Sequence, residues 1–361
     1  MSVRFRAVVV LGVASVVTTG AVVVTGPRAR GAVPRLGPVT GTLIATLTDP
    51  GTYLDNMVSS VAFGPGAILA VGTGGSGSTY LWDTRTGKLT ATLTDPGGTS
   101  VQAVAFGPGA ILAAGTAAAG GSDGGTYLWD TKTRKLTATL AGPASSGGVS
   151  SVAFGPGGML AAGAEQDGSG SAFLWDTKTR KLTAILTDSP PHFSSLATVS
   201  SVAFGPGGIL AVSENGSAYV WDTKTRKLTA TLTAATDSVA FGPGGILAAG
   251  GLGHDGSGGS TYLWDTRTGK LTATLTDPGG AAAGGVSSVA FGPGGILAAA
   301  GQDGHIYLWD TVTGTLTATL TDPGGFTGNQ FDPVAFGPGG ILAAGDAYGR
   351  IYLWRISRYK P

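Results

Sequence analysis

The stretch "VSSVAFGPGGMLAAGAEQDGSGSAFLWDTKTRKLTAIL", Val149 to Leu186, decides the fold. It divides into four short runs, "VSSVAF", "MLAAGA", "SAFLWD" and "KLTAIL". Each is rich in β-branched, aromatic, Leu or Ala residues, the composition that suits a half-buried pleated surface. "GPGG" is too short for anything but a hairpin turn. The "DG" ahead of the third run suits a tight turn with positive φ. The stretch therefore predicts a four-stranded antiparallel sheet, with strands a, b, c and d in chain order.

The same phrase recurs along the chain. "VAFGPG" begins at Val61, Val104, Val152, Val202, Val239, Val289 and Val334. Every Trp of the protein follows one of these: Trp82, Trp129, Trp175, Trp221, Trp264, Trp309 and Trp354, at spacings of 47, 46, 46, 43, 45 and 45 residues. A period near 45 marks a supersecondary unit. No segment after residue 40 carries helical periodicity over a dozen residues. The 64 Gly and 19 Pro sit at fixed intervals among apolar runs and read as turns, not as low complexity. One four-stranded sheet cannot bury both of its faces alone, whereas seven stacked around an axis can.

These units resemble the WD-repeat β-propeller family, including a Trp-Asp pair in six of the seven. The resemblance covers roughly residues 40 to 355 and implies an all-β, seven-bladed propeller. Its phrasing is most similar to the propeller regions joined to bacterial serine/threonine protein kinases; no kinase catalytic motif is present in the chain. Two departures stand out. The last unit has Trp354-Arg355, and the Gly-His pair that the family places before the innermost strand is missing. Asp49-Pro50, Asp95-Pro96, Gly142-Pro143, Asp277-Pro278 and Asp322-Pro323 stand there instead. The tryptophan indoles must then find other acceptors or face water.

The two ends explain each other. After "IYLWRISRYKP" no outer strand follows, and "GTLIATLT", Gly41 to Thr48, is an outer strand with nothing before it. The N-terminal strand is expected to close the ring on the last blade and to cover an open sheet edge. Ahead of it, Arg4 and Arg6 precede the uncharged run Ala7 to Val24. Residues 1–27 read as a signal peptide or membrane anchor, 28–39 as a Gly/Pro/Arg linker and 40–361 as the propeller. The expected location is extracytoplasmic, anchored or secreted.

Strand direction assigns the loops to two faces. The a–b turns ("GPGG" or "GPGA") and c–d turns (variants of "DTKTRK") share the bottom face and hardly vary. The d–a and b–c loops share the top face and vary in length and content, where a scaffold can carry recognition. Thirteen of the 22 basic residues lie in c–d turns beside six Asp, and the other 15 acidic residues fall in or beside top loops. The expectation is a basic bottom, turned toward lipid, and an acidic top that binds a protein, peptide or glycan. The binding candidates are Tyr53, Asp55, Asn56, His192, Phe193, Phe326, Asn329, Gln330, Phe331, Asp332, Tyr348 and Arg350, because aromatics beside amides and charges make good contacts.

No catalytic group, metal or cofactor is expected. The charge is nearly balanced, +1 overall, which does not suggest nucleic acid. With no Cys there is no thiolate chemistry. The Gly-x-Gly-x-x-Gly match at Gly72 precedes a strand, not the helix that phosphate binding needs. The Gly-x-Ser-x-Gly match at Gly120 sits in a b–c loop, without a His partner. The three His, His192, His254 and His305, lack metal-ligand spacing. The chain thus reads as a monomeric interaction scaffold. The rival readings are a soluble intracellular scaffold, or a hydrolase built from converging top-face carboxylates.

Overall fold

The computed structural model describes residues 38–50, 57–75, 77–97, 100–118, 124–142, 146–166, 169–187, 198–234, 236–252, 258–279, 284–323 and 331–358. Among them lie 28 strands, joined into seven four-stranded antiparallel sheets. The stretch read first forms the third sheet: β10 (Ser146–Phe154), β11 (Met159–Gln166), β12 (Ser169–Asp176) and β13 (Lys181–Leu186). The innermost strands of the seven blades are β2 (Val58–Phe63), β6 (Val101–Phe106), β10, β14 (Val199–Phe204), β18 (Ser238–Phe241), β22 (Val286–Phe291) and β26 (Phe331–Phe336). Each packs on the next, and β26 packs on β2, so the chain forms a closed seven-bladed propeller.

The core lies between blades, not within them. Leu81 and Leu93 of the first blade meet Val104, Leu112 and Trp129 of the second. Leu47 and Leu353 of the seventh meet Leu69, Tyr80 and Trp82 of the first. A strand shows alternate residues to opposite faces, so each blade uses one set against its predecessor and the other against its successor.

Two contacts repeat around the inner ring and account for the constancy of "SVAFGPG". The first glycine of each a–b turn lies directly against the Phe ring of the following blade. A Cβ on Gly64, Gly107, Gly155, Gly205, Gly242 or Gly292 would come within 2.5–2.6 Å of Phe106, Phe154, Phe204, Phe241, Phe291 or Phe336 respectively. Gly337 meets Phe63 in the same way and completes the circle. These glycines have ordinary extended backbone (Gly155 φ −112°), so space alone requires them. The second contact is a hydrogen bond. The Val104, Val202, Val239, Val289 and Val334 amides donate to the Oγ of Ser60, Ser151, Ser201, Ser238 and Ser288 in the preceding blade, at 2.9–3.2 Å. Ala103 and Pro333 occupy the serine position in the second and seventh blades.

The a–b connection is tighter than a simple hairpin turn. It is a single 3₁₀ turn, in which Gly157 (φ 74°) and Gly158 (φ 88°) are left-handed. Ring closure follows the expected route. β1 (Val39–Thr48) is the outer strand of the last blade and pairs antiparallel with β28 (Arg350–Arg358), from Val39 opposite Arg358 to Thr48 opposite Arg350. Arg358 also reaches sideways, its Nη1 donating to Asp310 Oδ2 of the sixth blade at 2.6 Å.

Gly155→Ala is expected to cost about 1–3 kcal/mol, because the Phe204 ring must move out of a well-packed layer. Pairing it with Phe204→Leu should recover part of that loss. Urea denaturation of the two variants checks this, and an unchanged midpoint for Gly155→Ala would contradict it.

Candidate functional site

The bottom face is built from six copies of one turn. In the second blade Asp130 Oδ1 accepts the amides of Lys132 and Thr133, both at 2.9 Å, and Thr131 Oγ1 donates to Ala110 O at 2.8 Å. Asp176 and Asp222 do the same in the next two blades. These backbone donors hold the carboxyls of Asp130, Asp176 and Asp222 below the usual carboxylate range. The Asp of the Trp-Asp pair is thus a turn builder. The seventh unit has no c–d turn to build, which explains Trp354-Arg355: Arg355 lies within β28, opposite Thr42 of β1.

The top face departs from the charge count. Of its carboxylates, Asp49, Asp95, Glu214, Asp277, Asp322 and Asp346 are buried, with exposures from 0 to 8%. Much of the acidity assigned to a top surface is therefore interior. Asp95 shows why. It directly follows the outer strand β5 (Lys88–Thr94), and its Oδ1 accepts the indole Nε1–H of Trp129 in the next blade at 3.0 Å. The Asp of the Asp-Pro pair thus supplies an acceptor at the position where a His was missing. Asp277 occupies the equivalent place toward Trp309, but there neither carboxylate oxygen nor the indole Nε1 has a hydrogen-bond partner among the described residues. The indoles of Trp82 and Trp264 are likewise buried without an acceptor among the described residues. Burial pushes Asp95 up to about 7, with the Trp129 bond opposing the rise. Burial and then the nearby Asp303 push Asp277 up to about 7.

The candidates of the seventh blade converge, though not as an open surface. Phe331, expected to be a contact residue, is fully buried and stacks edge-on against Tyr352 and Trp354, with ring centroids 5.9 and 5.8 Å away. Its ring fills the layer between the sixth and seventh blades, so it serves packing. Asp332 is partly buried on β26, and burial raises it to about 6. Arg350 is held by the fully buried Asp346, Nε to Oδ2 at 2.9 Å, and lies 5.5 Å from the Tyr348 ring and 5.8 Å from the Tyr352 ring. Tyr348 is 49% exposed and is the described candidate most open to a partner. Tyr53, Asp55, Asn56, His192, Phe193, Phe326, Asn329 and Gln330 lie outside the described residues.

Beside this group, in the sixth blade, Tyr307 donates to Asp303 Oδ2 at 2.6 Å, and the His305 amide donates to Asp303 Oδ1 at 3.1 Å. This b–c turn is tied internally. Among the described residues no three His, Asp or Glu gather as a metal site.

Comparison with known families agrees with the geometry. The sequence model described as "WD domain, G-beta repeat" matches residues 134–176 and 269–310. Each match runs from the c–d turn of one blade to the Trp-Asp of the next. No curated protein matches the chain. The matched repeats and the propeller suggest a protein-interaction scaffold, a class that is generally non-catalytic.

The raised carboxyls of Asp95 and Asp277 bring a pH dependence. A folded-state pKa near 7, above the unfolded value, contributes stability that is complete below about pH 4 and is lost as pH rises through about 7. The protein should therefore melt at a lower temperature at pH 8 than at pH 5, and Asp277→Asn should shrink that drop by about 5 °C. Parallel pH profiles of the two proteins would contradict the assignment.

Proposed function

We propose that the protein is a non-catalytic sensor or interaction scaffold that binds a protein, peptide or glycan through the variable loops of its top face, outside the cytoplasm. One observation carries the reading: the two faces are built differently. On the bottom, turns of one design satisfy their own backbone groups through Asp and Thr side chains. The top is the side where loop length and content differ from blade to blade, and it carries the half-exposed Tyr348. Loops freed from a structural role on a rigid scaffold are where recognition is carried.

The apolar run Ala7 to Val24 supports delivery to or across a membrane. The resemblance to propeller regions joined to bacterial kinases supports a sensing role by analogy. No helix of the described residues is long and apolar enough to cross a membrane, and residues 7–24 lie outside them.

Photo-crosslinking in cells tests the assignment of faces. With benzoylphenylalanine placed by substitution of Tyr348 or of Arg134, discrete protein or glycan adducts are expected from position 348 and not from position 134. The reverse pattern would contradict the reading.

A further inference from the structure

The charge of the bottom face is not spread evenly around the ring. The c–d turns of the second, third and fourth blades carry Lys132, Arg134, Lys135, Lys178, Arg180, Lys181, Lys224, Arg226 and Lys227, and all nine side chains are exposed. Against them stand Asp130, Asp176 and Asp222, whose Oδ1 atoms are already engaged by turn amides. The arc has a surplus of six positive charges. None of the nine makes an ion pair among the described residues. In the first and fifth blades, by contrast, Arg85 and Arg267 lean on Asp83 and Asp265 at 3.4 and 3.6 Å. The equivalent turn of the sixth blade, "TVTGT", has no cation and shows Val312, 66% exposed.

The chain enters the propeller on this same face. Val39 begins β1 opposite Arg358, and Arg358 is bonded to Asp310 of a c–d turn. The entry point belongs to the seventh blade, and in a ring of seven the third and fourth blades lie across from it. Only residues 25–38 separate Val24, the end of the apolar run, from Val39 at the start of β1.

From these placements we infer that the bottom face, on which the chain enters at Val39, docks flat on an anionic lipid bilayer through the cationic arc of blades two to four. The inference rests on the proposed function in one respect, that residues 7–24 reach a membrane. The arc itself stands on the described residues. Short turns at one level present their ammonium and guanidinium groups as a broad array, which suits a flat charged surface. Basic side chains beside an anionic leaflet are attracted within a Debye length of about 8–10 Å. Mooring in this way leaves the variable loops facing away from lipid.

Amine footprinting of the full chain tests this. The protein is mixed with vesicles of pure phosphatidylcholine, or of phosphatidylcholine with phosphatidylglycerol at about 30%, and acetylated briefly. Lys132, Lys135, Lys178, Lys181, Lys224 and Lys227 are expected to react at least about three-fold more slowly on the anionic vesicles. Raising salt to about 0.5 M should restore their rates, while nitration of Tyr348 on the top face stays the same throughout. Charge reversal by Lys132→Glu, Arg134→Glu, Lys178→Glu and Arg180→Glu should abolish the protection of Lys224 and Lys227. Equal acetylation on the two vesicle types would overturn the inference. If the chain fails to stay with neutral vesicles yet is protected on anionic ones, the membrane role of residues 7–24 fails and the cationic arc stands.

Discussion

The contact between the turn glycine of one blade and the phenylalanine ring of the next is the constraint on which the rest depends. It occurs seven times and returns on itself at Gly337 and Phe63. Because the ring lies where a Cβ would be, blade spacing is set by van der Waals contact at the axis. A serine hydrogen bond beside it aligns neighbouring inner strands along their length. Packing at this density tolerates little change in volume, which is the physical reason that "VAFGPG" is written seven times without variation.

With the inner ring so determined, sequence variation is left to the turns and loops of the two faces. The c–d turns close themselves through Asp and Thr, and their long cationic side chains extend into solvent. On the other side, carboxylates that would ordinarily be solvated are drawn inward. Asp95 meets Trp129 of the following blade, and Asp303 meets Tyr307 of its own. The two faces differ in more than charge. One presents charges on a uniform frame; the other hides much of its charge and presents loops of unequal length.

Much of this architecture is legible in the sequence. Seven tryptophans at near-constant spacing define the blades, and the unpaired "GTLIATLT" beside a last unit lacking its outer strand predicts the closure that β1 and β28 make. The glycine–phenylalanine contact is not visible, since its partners lie about one repeat apart and neither local propensity nor alternation links them. The burial of Asp95, Asp277 and Asp346 is also hidden, because a carboxylate reads as exposed unless its partner is known. Phe331 misleads for the opposite reason. It follows the stretch "GGFTGNQ" and reads as part of it, yet it opens β26 and belongs to the core. The one clue available was its offset from "VAF", which places it where Val286 stands in the sixth blade.

Ring closure by the first strand underlies both the shared entry face and the division between faces, and it is directly measurable. Thr40 and Ser357 sit opposite each other across β1 and β28, with their hydroxyl oxygens 3.2 Å apart. The chain contains no cysteine, so Thr40→Cys with Ser357→Cys gives a single possible intramolecular disulfide. The account predicts that this bond forms quantitatively under mild oxidation in the monomer and raises the melting temperature, because it closes a long loop in the unfolded chain. Thiols that stay reduced, or that pair only between molecules, would show that the ring is not closed in this way.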